Sequence, residues 1–293
     1  MLRNILSKSS RSLTGLRASS SAVLTELHPA NDELAVIKMN APPINALSRP
    51  FLSDLQAAIK KVETDEEFED CRGFILTSNK PGIFSAGLDI TEMWKNKPGR
   101  NKDDFENSVV LFWTQLQDTW RTLYSTPLLT VAAINGTAPA GGCLLSISCD
   151  HRVMADHPKF QIGLNETKLG LVAPKWFATP FTKLVGPRKS EKYLYQGTLL
   201  PVQQALADGL IDDAVSPDQV DAIAVQRAEE YLSVPDFARA GTKQVITRGD
   251  DLAWFDKNRK MDLDTFVGVV MNPKTQGALD MYMAMLQNKS KKK

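Results

Sequence analysis

The sequence predicts an α/β fold, with a β-rich N-terminal core and a helical C-terminal part. Up to about Trp176, short β-type runs alternate with segments of helical spacing, the order that marks α/β organisation. Beyond Trp176, helical patterns follow one another almost without a break. A chain of 293 residues suits one large domain or a core domain with an appendage.

Glu33 to Met39 reads as a strand carrying Leu34, Val36 and Ile37, and Ala41-Pro42-Pro43 breaks it. From Leu47 to Val62 the spacing is helical, with Leu52, Leu55, Ile59 and Val62 on one side. Gly73 to Thr77 is a short strand, and Asn79-Lys80-Pro81-Gly82 has turn composition. Phe105 to Tyr124 reads as a helix presenting Val109, Phe112, Trp113, Leu116 and Trp120. The longest apolar run, Leu128 to Ile134, is a buried strand and is too short to span a bilayer. A small-residue helix through Ser148 and a strand from Arg152 to Ala155 follow. The later helical segments are Phe177 to Leu184, Ser190 to Gln196, Pro201 to Asp208, Asp218 to Leu232, Asp236 to Thr247, and a last stretch to Leu286. Met281, Tyr282, Met285 and Leu286 give that last stretch an apolar face, for its own core or for another subunit. No internal repeat is present.

Residues before Glu26 contain no acid and interleave Arg3, Lys8, Arg11 and Arg17 with serines. That is the composition of a mitochondrial transit peptide, with a disordered basic tail as the alternative, and a matrix location is the expectation. The expected division is a transit segment over 1–21, a core over 22–220 and a helical region over 221–293. The C-terminal lysine run reads as a frayed end without a peroxisomal Ser-Lys-Leu.

Lysine plus arginine, 35, balances aspartate plus glutamate, 34, which gives no reason to expect a nucleic-acid partner. Cys71, Cys143 and Cys149 form no C-x-x-C pair, and His28, His151 and His157 form no H-E-x-x-H. Neither a disulfide framework nor a metal site is expected, and the cysteines read as small buried hydrophobes. Cys143 is a candidate for lining a site without acting as a nucleophile. The absence of G-x-S-x-G and of G-x-x-x-x-G-K-[ST] argues against a serine hydrolase and against nucleotide phosphate chemistry.

Three segments carry the chemistry. Phe84-Ser85-Ala86-Gly87-Leu88-Asp89-Ile90 and Asn135-Gly136-Thr137-Ala138-Pro139-Ala140-Gly141-Gly142-Cys143 place small residues where a strand yields to a helix. Small residues allow a ligand close to the backbone, and a helix start offers free N–H donors. Two converging donors would make an oxyanion hole. Ile162-Gly163-Leu164-Asn165-Glu166-Thr167 supplies a lone carboxylate, which equally suits a helix start. Its apolar lead predicts a raised pKa. Asp89 reads as the cap of a helix beginning near Ile90, with Glu92 at the capping-box position.

The strings SAGLDITEM, INGTAPAGGCL and IGLNETKLG resemble those of the crotonase (enoyl-CoA hydratase/isomerase) superfamily, in order and over about residues 22 to 288. Within it they are most similar to mitochondrial Δ3,Δ2-enoyl-CoA isomerases. The resemblance implies a β-β-α spiral core, a C-terminal helical trimerisation region and an acyl-CoA substrate whose coenzyme A is no separate cofactor. It implies Glu166 as the catalytic acid/base, oxyanion donors at Leu88 and Gly141, and substrate contacts from Ala86, Gly87, Leu88, Asp89, Ile90, Gly141 and Asn165. Hydratases of the superfamily use two glutamates, one of them three residues after the oxyanion glycine. Here that position is Leu144, which neither holds nor activates water. One carboxylate suffices for a 1,3-proton shift, so isomerisation is the expected reaction. Trp176 and Phe177 are candidates for the pocket wall or the core. The alternatives are a hydratase, a CoA thioester hydrolase, or a non-catalytic or RNA-binding relative. Leu144 weighs against the first; the intact site segments and the dispersed basic residues weigh against the last.

Overall fold

The structure, a computed structural model, describes residues 22–290. The expected transit segment over 1–21 and the last three lysines lie outside the described residues. In the main sheet, β1 (Val23–His28) runs antiparallel to β2 (Asn31–Met39). Then β3 (Gly73–Ser78), β5 (Leu129–Ile134), β7 (His151–Ala155) and β10 (Asp213–Val215) continue it in parallel. A smaller sheet is ordered β4 (Gly82–Ile83), β6 (Gly136–Pro139), β8 (Gln161–Gly163) and β9 (Leu200–Pro201).

The helices are α1 (Arg49–Thr64), α2 (Ile90–Met93), α3 (Phe105–Ser125), α4 (Gly141–Ile147), α5 (Lys175–Val185), α6 (Pro187–Gln196), α7 (Val202–Ala207), α8 (Val220–Leu232), α9 (Asp236–Gly241), α10 (Gly249–Met271) and α11 (Pro273–Ser290). A π-helical segment, Thr242–Thr247, joins α9 to α10. The chain therefore repeats one path: a main-sheet strand, a small-sheet strand, then a helical turn. It does so as β3–β4–α2, as β5–β6–α4, and as β7–β8 followed by the 3-10 turn Glu166–Leu169. This is the β-β-α spiral.

Every residue of β5 is buried. Ala132 and Ile134 join the larger core, whereas Leu129, Val131 and Ala133 pack with Ala224, Ala228 and Leu232 of α8. A sheet covered on both faces explains the unbroken apolar run. In the larger core α3 lies between α1 and α10. Trp113 stacks on Phe266 with ring centroids 3.4 Å apart. One oxygen of Asp262 accepts from Trp113 Nε1 at 2.8 Å, Gln117 Nε2 at 2.7 Å and Trp176 Nε1 at 3.0 Å. The C-terminal helices thus pack on the chain's own core, with Phe255, Val270 and Leu279 fully buried. Met281, Met285 and Leu286 stay exposed.

Two local expectations are corrected, and one open alternative is resolved. The last stretch is two helices, because Pro273 cannot continue α10. Glu92 does not complete a capping box with Asp89; its carboxylate accepts from the Arg49 N–H at 3.2 Å. Trp176 and Phe177 belong to the aromatic core, 4.5 Å apart between ring centroids.

A buried ionic clasp ties both ends of the π segment to the sheet. Asp150 accepts from Lys243 Nζ at 2.8 Å and Arg248 Nη2 at 2.6 Å, and from the Thr130 N–H at 2.9 Å. Burial pushes its carboxyl up, but Lys243 and Arg248 override this and hold it below the usual range. Asp150→Asn leaves Lys243, 6% exposed, without its counter-charge. We expect a loss of about 3–5 kcal/mol by denaturant titration at neutral pH; a loss under ~1 kcal/mol would show that the clasp is not a stability element.

Candidate active site

All three site segments leave the small sheet side by side. Residues 84–90 follow β4, 140–143 follow β6, and 164–166 follow β8. Parallel pairing sets their register, with Gly82 opposite Gly136, Ala138 opposite Ile162 and Pro139 opposite Gly163. Gly136 has to be glycine, since a Cβ there would overlap the backbone of Gly82 and Ile83.

The first arm is anchored from below. Asn45, fully buried at φ +49°, donates through Nδ2 to Ser78 Oγ at 2.8 Å and to Phe84 O at 3.0 Å. Ser85 Oγ donates to Asn45 O at 2.7 Å, and the Ala86 N–H donates to Ile44 O at 3.0 Å. Leu47 then bridges the arm: its N–H donates to Gly87 O at 2.8 Å, and its carbonyl accepts from the Asp89 N–H at 3.2 Å. In such a parallel bridge the Leu88 N–H points away from Leu47. Asp89 caps α2, accepting from the Thr91 N–H at 2.9 Å.

The second arm begins at Ala140, held at φ +47° and tied to β8 by its N–H to Gly163 O at 2.8 Å. A non-glycine residue at this φ stores strain of about 1–3 kcal/mol. Gly141 is the first residue of α4, so its N–H has no intrahelical acceptor. The two arms nearly touch. A Cβ on Gly87 would stand 3.2 Å from Gly141 N, and a Cβ on Gly141 would stand 3.3 Å from Leu88 N. The structure therefore brings together the Leu88 and Gly141 donors that the sequence separates by 53 residues.

Glu166 opens the 3-10 turn after β8 and is 5% exposed. Neither carboxylate oxygen has a hydrogen-bond partner among the described residues, nor does the buried Oδ1 of the adjacent Asn165. Burial pushes the Glu166 carboxyl up to about 7, against a smaller opposing pull from its own backbone N–H. Such a group exchanges a proton near neutrality, as an acid/base must. Cys143 is fully buried, and its thiol is raised well above its ordinary value by burial first and by Glu166 second. Its thiolate is suppressed, as in a structural buried cysteine. Leu144, one residue on in α4, is fully buried too.

A cavity of about 670 Å³ lies elsewhere. Tyr124, Cys149, Tyr231 and Lys243 are on its wall, and none of the three segments reaches it. Residue chemistry, not cavity size, locates the site. Sequence reasoning missed Asn45 and named Ser85 only as part of the first segment, without its anchoring role; a single asparagine after two prolines signals only a turn.

The profile of the enoyl-CoA hydratase/isomerase family matches residues 29–292. The chain is 40% identical over 258 residues to mitochondrial enoyl-CoA delta isomerase 1 of Mus musculus, covering 87% of this chain and 84% of that one. It is 38% identical over 271 residues to the Homo sapiens protein of the same name, covering 92% and 85%. The fold matches the crystal structure of human mitochondrial delta3-delta2-enoyl-CoA isomerase with a TM-score of 0.84 at 38% identity, over 92% of this chain and 99% of that one. It also matches an enoyl-CoA hydratase from Bacillus halodurans with a TM-score of 0.74 over 89% and 100%; at 20% identity this concerns the fold alone.

Proposed function

The chain belongs to the enoyl-CoA hydratase/isomerase family, and from that premise we propose that it is a Δ3,Δ2-enoyl-CoA isomerase. The observation that carries this reading is Glu166, among the described residues the single buried carboxylate without a partner, with Leu144 where a hydratase places its second. The reaction moves the double bond of a 3-enoyl-CoA to the trans-2 position. Ionised Glu166 takes a proton from C2. The thioester oxygen gains negative charge and is held by the N–H groups of Leu88 and Gly141, donors of a kind worth about 2.7–4 kcal/mol each. The same carboxyl returns a proton to C4. Apolar surroundings, including Leu144, keep out the water that would add across the double bond. Ala86 to Ile90 border the coenzyme A portion, and Asn165 borders the acyl group. No separate cofactor takes part.

The finer setting is the mitochondrial matrix, in the oxidation of unsaturated fatty acyl chains, with residues 1–21 as the address. We take the assembly to be a homotrimer. The exposed apolar side chains Val234, Phe237, Val245 and Ile246, near the end of α8 and on α9 and the π segment, support self-association.

The test supplies purified chain with 3-hexenoyl-CoA and, separately, 2-hexenoyl-CoA. We expect conversion of the 3-enoyl substrate with little hydration of the 2-enoyl one. Hydration as fast as isomerisation would sink the reading.

A further inference from the structure

Helix α11 packs both on the loop that follows α2 and on the turn that begins at Glu166. Gln276 and Asp280, one turn apart and therefore on one face, grip the loop that leaves α2. Gln276 Oε1 accepts from the Lys95 N–H at 2.8 Å, while its Nε2 donates to Met93 O at 2.9 Å and to Val270 O at 2.7 Å. Asp280 accepts from Trp94 Nε1 at 2.6 Å and from Asn96 Nδ2 at 3.0 and 3.1 Å. Those donors hold its carboxyl below the usual range. The gripped loop continues α2, which Asp89 of the first arm caps.

Ala278 is two residues from each, about 200° around the helix. There it meets Gly170, where a Cβ would stand 3.7 Å from Ala278 Cβ. Gly170 closes the turn that Glu166 opens, and the next residue, Leu171, donates its N–H to Glu166 O at 3.1 Å. Leu279, fully buried, seats the helix on the core. One face of α11 therefore holds the end of α2 and the loop after it, which the Leu88 arm leads into, and the other touches the turn that carries Glu166.

We propose that Gln276 and Asp280 are positioning residues for the double-bond shift, setting the separation between the oxyanion arm and the Glu166 carboxylate. This rests on the isomerase reading. The shift breaks C2–H, forms C2=C3 as C3=C4 opens, and makes a new C4–H bond, with no net oxidation. One carboxyl must serve two carbons while the thioester oxygen stays on both donors. Removal of the C2 proton, next to the anchored thioester, tolerates a small displacement of the turn. Delivery to C4, two carbons further out, does not.

The experiment uses the whole chain with 3-hexenoyl-CoA in D2O. Gln276→Met and Asp280→Leu, near-isosteric and unable to make these hydrogen bonds, are made singly and together. Asp280→Asn keeps an acceptor for Trp94. Isomerisation kcat and KM are compared with deuterium uptake at C2 of recovered 3-enoyl substrate. We expect kcat to fall roughly tenfold in each single variant and roughly a hundredfold in the double one. KM and C2 exchange stay within roughly threefold, and Asp280→Asn stays near wild type. The ratio of exchange to isomerisation thus rises about tenfold in the single variants. An unchanged ratio in variants with a native circular dichroism spectrum overturns the proposal, whether or not activity falls. If the double variant does not fold, the single variants decide on the same ratio. A wild-type chain that fails to isomerise the substrate would instead overturn the functional reading, so the two failures are distinct.

Discussion

Glu166→Gln is expected to lower isomerisation kcat by about 10²–10⁴, the usual contribution of a positioned acid/base, while the variant still binds the coenzyme A thioester. The amide keeps the shape of the side chain but cannot take the C2 proton. The wild-type rate should rise with pH to a plateau, with a midpoint near the carboxyl pKa of about 7, because only the ionised form is a base. The same group makes a second prediction with the opposite sign from most carboxylates. Burial raises its folded pKa from 4.5 to about 7, so between those values the folded chain binds more protons than the unfolded one. Stability therefore falls as pH rises through this window. From about pH 5.5 to pH 8 the carboxyl should remove about 2 kcal/mol from wild type, at 1.36 kcal/mol per unit, and nothing from Glu166→Gln. Denaturant titrations of both chains at the two pH values isolate this as a change in their difference, whatever fixed cost the buried amide carries. A pH-independent difference, or an active Gln variant, would remove Glu166 from the role assigned to it.

The sequence made the chemistry more legible than the frame that holds it. Ile162 and Leu164 announce an apolar setting for Glu166, and the raised carboxyl follows from it. Leu128 to Ile134 announces a strand buried on both faces, as β5 is. The small sheet that aligns the three segments is not legible at all. Its strands have two to four residues each, too few for a period-2 pattern. Gly136-Thr137-Ala138-Pro139 also has poor strand propensity and is a strand only because Gly82 and Ile162 come to lie beside it. Asn45 is invisible for a related reason: its partners, Ser78 and Phe84, are 33 and 39 residues away. The break between α10 and α11 was open to reading, since Pro273 stands inside the helical pattern. Long-range pairing thus decides where the donors converge, and local pattern decides only that each arm is small enough to be paired.

That convergence is what Gly87→Ala should spoil. Gly87 sits at φ +85°, and a Cβ there would stand 2.9 Å from Pro139 O, 3.0 Å from Ala140 Cβ and 3.2 Å from Gly141 N. The oxygen and nitrogen are backbone and cannot rotate aside, so the arms must separate. Oxyanion donors act only within about 2.7–3.1 Å of the charge they hold, and losing one costs about 10²–10³ in kcat. We expect kcat to fall about 10²-fold with KM little changed, because the donors grip the enolate more strongly than the ground-state thioester. The left-handed backbone also costs an alanine about 1–2 kcal/mol of stability. Gly99→Ala separates the two effects: its φ is +77° and a Cβ there meets nothing within 4 Å. It should lose comparable stability and keep its kcat. If both variants lose activity alike, backbone strain and not donor geometry is responsible. If Gly87→Ala keeps full kcat, the Leu88 and Gly141 N–H groups do not hold the reacting oxygen.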